Sequence, residues 1–457
     1  VRSDARHPEL PRTLGLRDLV LLKLVAVVNV SLVPPVAGYG RAAYLLWIAA
    51  FLTFFLPQAT AVVLLSRRYP GEGGIYLWTR RRFGELHGFL SGWCYWTNNL
   101  FYLPMQLVYA AGVLAYAGGS GSASLIDDKA FVSLVTFGWL AVMTIANVRG
   151  LAVGKWVQNI GAIGTAATVV LILIAGVAAH LEGVAYPAPA LAGSGLALLS
   201  GLSVACFTFV GFELASTMGD EIEHPARDLP RAIAIAGGLT LLAFLATTAA
   251  LQALVPSAEI GAIQGVMQAL AGGAARAGAG WVVAPAALMI ALSIGGGASA
   301  WFAGSSRVPF MAGFDRSLPS ALGRVHPRWG SPHIALWTTA ALSAMFLAFT
   351  LVGSTVAEAY QVLLKAGVVI QLVPFVYLFA CLMTIEGGAA VRAAGAVGLA
   401  SSAAGLAFAF VPTEDVGSVA VFETKMLVGV AAPIAVGLAF FSRARSRSLE
   451  ASGAPLG

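Results

Sequence analysis

LVLLKLVAVVNVSLVPPVA, residues 19–37, is apolar and long enough to cross a bilayer as a helix, yet it carries Asn29, Ser31 and the pair Pro34 and Pro35. A helix needs about 20 apolar residues to span roughly 30 Å of hydrocarbon. Proline lacks an N–H and clashes with the turn before it, so the pair frees main-chain polar groups around residues 29–33. Lipid does not tolerate such groups. They persist where they line a protein-enclosed or water-filled cavity, and a broken span therefore points to a ligand chamber. A plain proline kink, satisfied by neighbouring helices, is the other reading.

The rest of the chain fits that setting. Of 457 residues, 58% are hydrophobic and 11% charged, and the mean hydropathy is +0.83, which identifies an all-α integral membrane protein. Alternating strands of about ten residues are absent, which excludes a barrel. Residues 1–16 read as a polar cytoplasmic tail rather than a leader, and Cys94, Cys206 and Cys381 read as small packed hydrophobes. The net charge of +6 bears on topology and not on nucleic acid.

Apolar runs and the breaks between them predict twelve transmembrane helices, at 17–37, 42–65, 87–117, 131–148, 155–179, 196–218, 231–254, 281–311, 334–352, 360–384, 391–410 and 425–441. With both termini cytoplasmic, 21 of the 27 basic residues fall inside and 4 outside. A missed helix would invert every later loop, so this asymmetry supports the count as well as the orientation. The chain then divides into the tail 1–16, a core of ten helices at 17–384, two further helices at 385–442 and a tail at 443–457.

A second interruption is expected in CFTFVGFELAS, residues 206–216, where Thr208, Gly211 and the acid Glu213 sit inside an apolar run. Helices 1 and 6 are five apart, and five is odd, so a second unit of helices 6–10 enters the membrane opposite to helices 1–5. Asn98 and Asn99 are adjacent and cannot share a direction; Asn98 is the favoured pocket residue and Asn99 an interhelical amide. Lys365 reads as the one lysine deep in the bilayer, a counter-charge for Glu213 or a proton carrier, whereas Lys23 lies near enough to the inner surface to snorkel. The inner acidic and basic residues of 220–231 are expected to pair with Arg67 or Arg68 or to remain solvated.

Three longer motifs resemble one family. PGEGGIYLWTRRRFGELHGFLSGWCYW (70–96), FTFVGFELASTMGDEIEHPARDLPRAI (207–233) and FAGSSRVPFMAGFDRSLPSALGRVHPRWGSPHIAL (302–336) are similar to amino acid permeases of the amino acid-polyamine-organocation (APC) superfamily. The resemblance implies a 5+5 inverted repeat with broken helices 1 and 6 plus two C-terminal helices, and alternating access around a pocket made by helices 1, 3, 6, 8 and 10. It places Asn29, Val30 and Ser31 where relatives carry a glycine-rich carboxylate cradle, without the glycines. It also makes Phe207 the closing aromatic, Gly211 part of the unwound segment, Glu213 the family acid, and Thr208 and the carbonyls near Val210 the contacts for an ammonium group. Thr165 stands where several relatives carry a lysine; with Ser293 or Ser299 it is a candidate for coordinating Na+.

No nucleophile–base pair, metal constellation or continuous polar ring is evident, so the sequence reads as neither enzyme nor channel. The expected function is a secondary active transporter of amino acids, neutral ones given Val30, Leu32, Phe207 and Phe209. The alternatives are a cationic amine or polyamine transporter using Glu213 and aromatic faces, and a non-transporting ligand sensor. No cofactor is expected, and the coupling ion, H+ or Na+, stays open. The partners are a small-molecule substrate and the lipid bilayer, with no nucleic acid. The excess of Arg over Lys, 22 to 5, suggests a bacterium and hence its inner membrane.

Overall fold

In the computed structural model, which describes residues 12–71, 73–183, 195–261, 264–314, 318–351, 356–411 and 419–452, the first apolar stretch forms three pieces. Helix α1 (Leu16–Val27) ends where Val28 leaves helical geometry; a single 3-10 turn, Val30–Leu32, follows, and α2 (Val33–Ala37) completes the span. Asn29 caps the turn by accepting from Ser31 N. Pro34 and Pro35 stand in the first turn of α2, where a missing N–H costs nothing. The prolines therefore start the second half of the span, and the break lies before them, at Val28 and Asn29.

The second interruption is equally abrupt. Helix α9 (Gly195–Thr208) stops at residue 208, residues 209–213 are non-helical, and a 3-10 stretch, Leu214–Glu221, follows. Gly211 turns the chain at φ 125°, a region that L side chains avoid, and a Cβ there would stand 2.9 Å from Val27 and 3.1 Å from Trp301. Only glycine lets the two breaks approach this closely.

The second span, predicted at 42–65, runs Ala42–Arg68 and consists of α3 (Ala42–Ala50) and α4 (Leu56–Arg68) around a π-helical turn at Phe51–Phe55. A short helix, α5 (Ile75–Phe83), precedes α6 (Glu85–Leu114), the most enclosed element, with 89% of its apolar window buried. Around it stand α7 (Lys129–Val148), α8 (Leu151–Leu181), α10 (Pro225–Leu254), α12 (Val283–Ser305) with its extension α13 (Arg307–Phe314), α14 (His333–Leu351) and α15 (Val356–Thr384). A small-residue helix, α11 (Gly265–Arg276), lies between α10 and α12; the sequence reading did not anticipate it. Helices α16 (Ala389–Phe408) and α17 (Val419–Ser452) close the chain, and their low burial, 22% and 11% of the apolar window, leaves them mostly to lipid. Helix α17 continues through residues 443–452 of the expected tail; residues 1–11 and 453–457 lie outside the described residues.

Among the described residues, ten helices are long and apolar enough to cross a membrane, and two shorter apolar helices, Leu198–Thr208 and His333–Ala348, occupy the sixth and ninth predicted positions. Close packing is set by glycine. A Cβ on Gly161 of α8 would come within 2.5 Å of the Gly296 Cα on α12, so the two backbones touch without side chains between them. The three cysteines are buried and unpaired.

At the end of the bundle predicted to be cytoplasmic, the chain before α1 pairs with the segment after the second break. Leu14 and Ile222 form a parallel bridge, Thr13 N and Leu14 N both donate to Glu221 O at 2.9 and 3.0 Å, and Glu223 N donates to Leu14 O at 3.0 Å. Arg307 grips the Glu221 carboxylate from α13, Nε at 3.0 Å from Oε1 and Nη2 at 2.9 Å from the same oxygen, with both side chains buried. Glu221 thus pairs with Arg307, whose buried position places its guanidinium directly against the carboxylate, rather than with Arg67 or Arg68. Arg227 pairs instead with its neighbour Asp228, 2.7 Å away.

Candidate functional site

The two breaks open on one small cavity. It is lined by Ala26, Val27, Asn29 and Leu32 from the first span, Asn98 and Tyr102 from α6, Phe207, Thr208 and Val210 from the second break, and Trp301 from α12. Its free space, about 10 Å³, admits about one water molecule, so a larger solute enters only if the walls move. Tyr102 and Phe207 form the aromatic wall, edge to face with centroids 6.4 Å apart, and Trp301 stands 5.4 Å from Tyr102.

Each break is held by side chains. Ser31 N and Ser31 Oγ both donate to Asn29 Oδ1, at 3.1 and 2.6 Å, and Ser31 Oγ also lies 3.1 Å from Gln106 Oε1. Asn29 Nδ2 donates to Tyr102 OH at 3.1 Å, and Trp301 Nε1 donates to the freed carbonyl of Ala26 at 3.0 Å. On the second break, Glu213 accepts from Tyr95 OH at 2.9 Å, Gly211 N at 2.9 Å and Gln58 Nε2 at 2.5 Å. Among the described residues no donor reaches the carbonyls of Thr208, Phe209 or Val210. Thr208 ends α9 and the other two follow it directly, so the three acceptors stand at the end of a helix that favours positive charge.

Lys23 ties the breaks together. It is 1% exposed, donates to the freed Phe212 carbonyl at 2.5 Å, and faces the Glu213 carboxylate. The expectation that it snorkels is overturned: the inner half of the first span runs beneath the second break, so its amine is enclosed before it can reach water. Lys365 is not the counter-charge. It donates to the Val411 carbonyl and lies 5.4 Å from the Phe422 ring.

Of the residues singled out from sequence, Asn29, Asn98, Phe207, Thr208 and Val210 line the cavity. Val30, Ser31, Gly211 and Glu213 are buried but lie outside the lining. Asn98 Oδ1 has no protein partner, whereas Asn99 Nδ2 donates to Tyr95 O on its own helix at 3.0 Å rather than between helices. Phe209, expected at the pocket, packs away from it against Trp47, Phe51, Phe55 and Phe244. Thr165 Oγ1 meets Ser293 Oγ at 2.5 Å between α8 and α12, while Ser299 is separate and accepts from Asn147 at 2.8 Å. Tyr102, Gln106 and Trp301 were missed. The first two carried a signal: Asn98, Tyr102 and Gln106 recur every four residues and therefore share a face of α6.

Comparison with known proteins agrees with this architecture. The sequence model of the amino acid permease family matches residues 20–432. An uncharacterized transporter of Legionella pneumophila, lpg1691, is 27% identical over 92% of this chain and 94% of its own length. The low-affinity putrescine importer PlaP of Escherichia coli is 27% identical over 78% of each chain. The crystal structure of MhsT in complex with L-phenylalanine superposes with a TM-score of 0.63, covering 95% of this chain and 99% of MhsT at 14% identity, which establishes a shared fold.

Proposed function

The chain belongs to the amino acid permease family, and from that premise we propose that it is a secondary active transporter for small solutes that carry an amino group on an apolar body. The observation that supports this most directly is the convergence of two broken spans on one cavity, whose lining includes Thr208 and Val210, residues with carbonyls that no donor reaches among the described residues. Those carbonyls suit an ammonium group, and Val27, Leu32, Phe207 and Trp301 suit an apolar side chain. The polyamine alternative loses its acidic anchor, because Glu213 is occupied by three donors and faces Lys23.

In this reading the chain has twelve spans, arranged as a five-plus-five inverted repeat with α16 and α17 outside it, and works by alternating access. Both termini face the cytoplasm of a bacterial cell, as the 21-to-4 division of basic residues supports. The Thr165 hydroxyl lies against Ser293 and the Gly161 carbonyl, so the pair is satisfied without an ion and the coupling ion, H+ or Na+, is left to the imposed gradients.

Uptake of radiolabelled leucine and of isopentylamine into proteoliposomes, with imposed Na+ or H+ gradients and with counter-substrate inside, tests the proposal. Accumulation that follows one gradient is the expected result. Saturable binding with no flux under any gradient or exchange condition would identify a sensor instead.

A further inference from the structure

An amino acid presents two charges, and a site built for one must answer both. The positive half is provided for at the second break, where the carbonyls of Thr208, Phe209 and Val210 have no donors among the described residues. The negative half needs clustered N–H groups or a cation, since a carboxylate removed from water without them is strongly disfavoured.

The first break has spent its donors on itself. Asn29 N donates to Val27 O at 2.6 Å, Ser31 N to Asn29 Oδ1 at 3.1 Å, Leu32 N to Asn29 O at 3.1 Å and Val33 N to Val30 O. Pro34 and Pro35 have no N–H to offer. Only Val30 N, among the described amides of residues 28–35, lacks an acceptor. The side chains are committed as well: the Ser31 hydroxyl donates to Asn29 Oδ1, the Asn29 amide nitrogen to Tyr102, and the Trp301 indole to Ala26 O. No lysine or arginine lines the cavity, and the buried amine of Lys23 is held by Phe212 O.

We propose that the substrate is a primary monoamine with an apolar body and no carboxylate, and that Asn29 sets this preference by capping the Ser31 amide. The inference rests on the reading of this cavity as the transport site. The ammonium group sits on the carbonyls of residues 208–210 and beside the faces of Tyr102, Phe207 and Trp301, and the apolar body fills the remaining wall. The Asn98 amide turns its free end to whichever hydrogen-bonding partner the amine presents.

The test compares matched pairs on the purified full-length protein: isopentylamine against leucine, and phenethylamine against phenylalanine, by ligand-induced shift of thermal unfolding and by competition binding. Each amine is expected to bind at least tenfold more tightly than its amino acid. In Asn29→Gly, which removes the side-chain acceptor of the Ser31 amide and leaves that N–H free for a carboxylate, the preference is expected to fall about tenfold, equivalent to about 1.4 kcal/mol. Tighter binding of the amino acids by the wild-type protein overturns the proposal even if the variant does not fold. So does an unchanged ratio in a folded Asn29→Gly or Asn29→Ala protein, or no binding of any of the four probes. Flux of amino acids without amine preference would sink this inference and leave transport standing; amine preference without flux would do the reverse.

Discussion

Lys23 and Glu213 are enclosed together at this depth without a direct ion pair: the amine is held by the carbonyl of Phe212, the residue before Glu213. Glu213 is fully enclosed and satisfied by Gln58, Tyr95 and Gly211, and Lys23 supplies the opposite charge while holding Phe212 O. Removing one of two enclosed charges that offset each other strands the other, at a cost below that of a directly bonded buried pair, about 3–5 kcal/mol. Lys23→Met is therefore expected to lower the thermal unfolding midpoint of the purified protein sharply, and the double variant Lys23→Met with Glu213→Gln to recover most of the loss. Equal destabilisation in single and double variants would show that the two charges act independently. Glu213 was readable from sequence because an acid in an apolar run has few fates. Lys23 was not, since its position near the start of the span suggested access to water, and only the fold shows the second break passing over it. Asn29 was readable as a polar break, but its partner Tyr102 required knowing which face of α6 turns inward.

At the level of elements, the breaks were legible and their causes only partly so. The proline pair marked the right span but for a different reason, since it begins α2 and leaves the interruption to Val28 and the Asn29 cap. The π-helical turn at Phe51–Phe55 carries no sequence signal, yet it aims Phe55 at Phe212, ring centroids 4.6 Å apart, in the helix that also supplies Gln58. Helix α11 escaped notice because GVMQALAGGAAR is dominated by small residues and is too short to span. The α8–α12 crossing depends on two glycines whose partnership no single sequence discloses. Gly161→Leu is expected to force these helices apart and destabilise the protein by about 1–3 kcal/mol or more, the range of an overpacked core. The same substitution at Gly238, where a Cβ meets nothing within 4 Å, should cost far less, and thermal unfolding of the two variants side by side makes the comparison.

For the whole molecule, the closure between residues 13–14, 221–223 and Arg307 joins three separate parts of the chain at one end of the bundle. Just outside the second break lies a space of about 260 Å³ lined by Arg67, Trp78, Ser216 and Pro225, among others. Ile222 of the closure lines that space, so opening the closure would widen it. Arg307→Ala leaves Glu221 buried without its cation, which disfavours the closed arrangement by about 3–5 kcal/mol. A cysteine introduced as Ser216→Cys should then react faster with a membrane-impermeant thiol reagent in inside-out vesicles than it does with Arg307 intact. An unchanged rate would mean that the ion pair is dispensable to closure.

The bond from Lys23 to Phe212 also has a consequence for synthesis. Its two ends are 189 residues apart, so at 5–20 residues per second the ribosome finishes the lysine about 10–40 s before its acceptor exists. During that interval a lone amine in the inner half of a newborn span is penalised, by less than the roughly 2.5–3.5 kcal/mol of a helix centre. The first segment should therefore linger beside the translocon, shallowly seated, until the sixth arrives to draw it in.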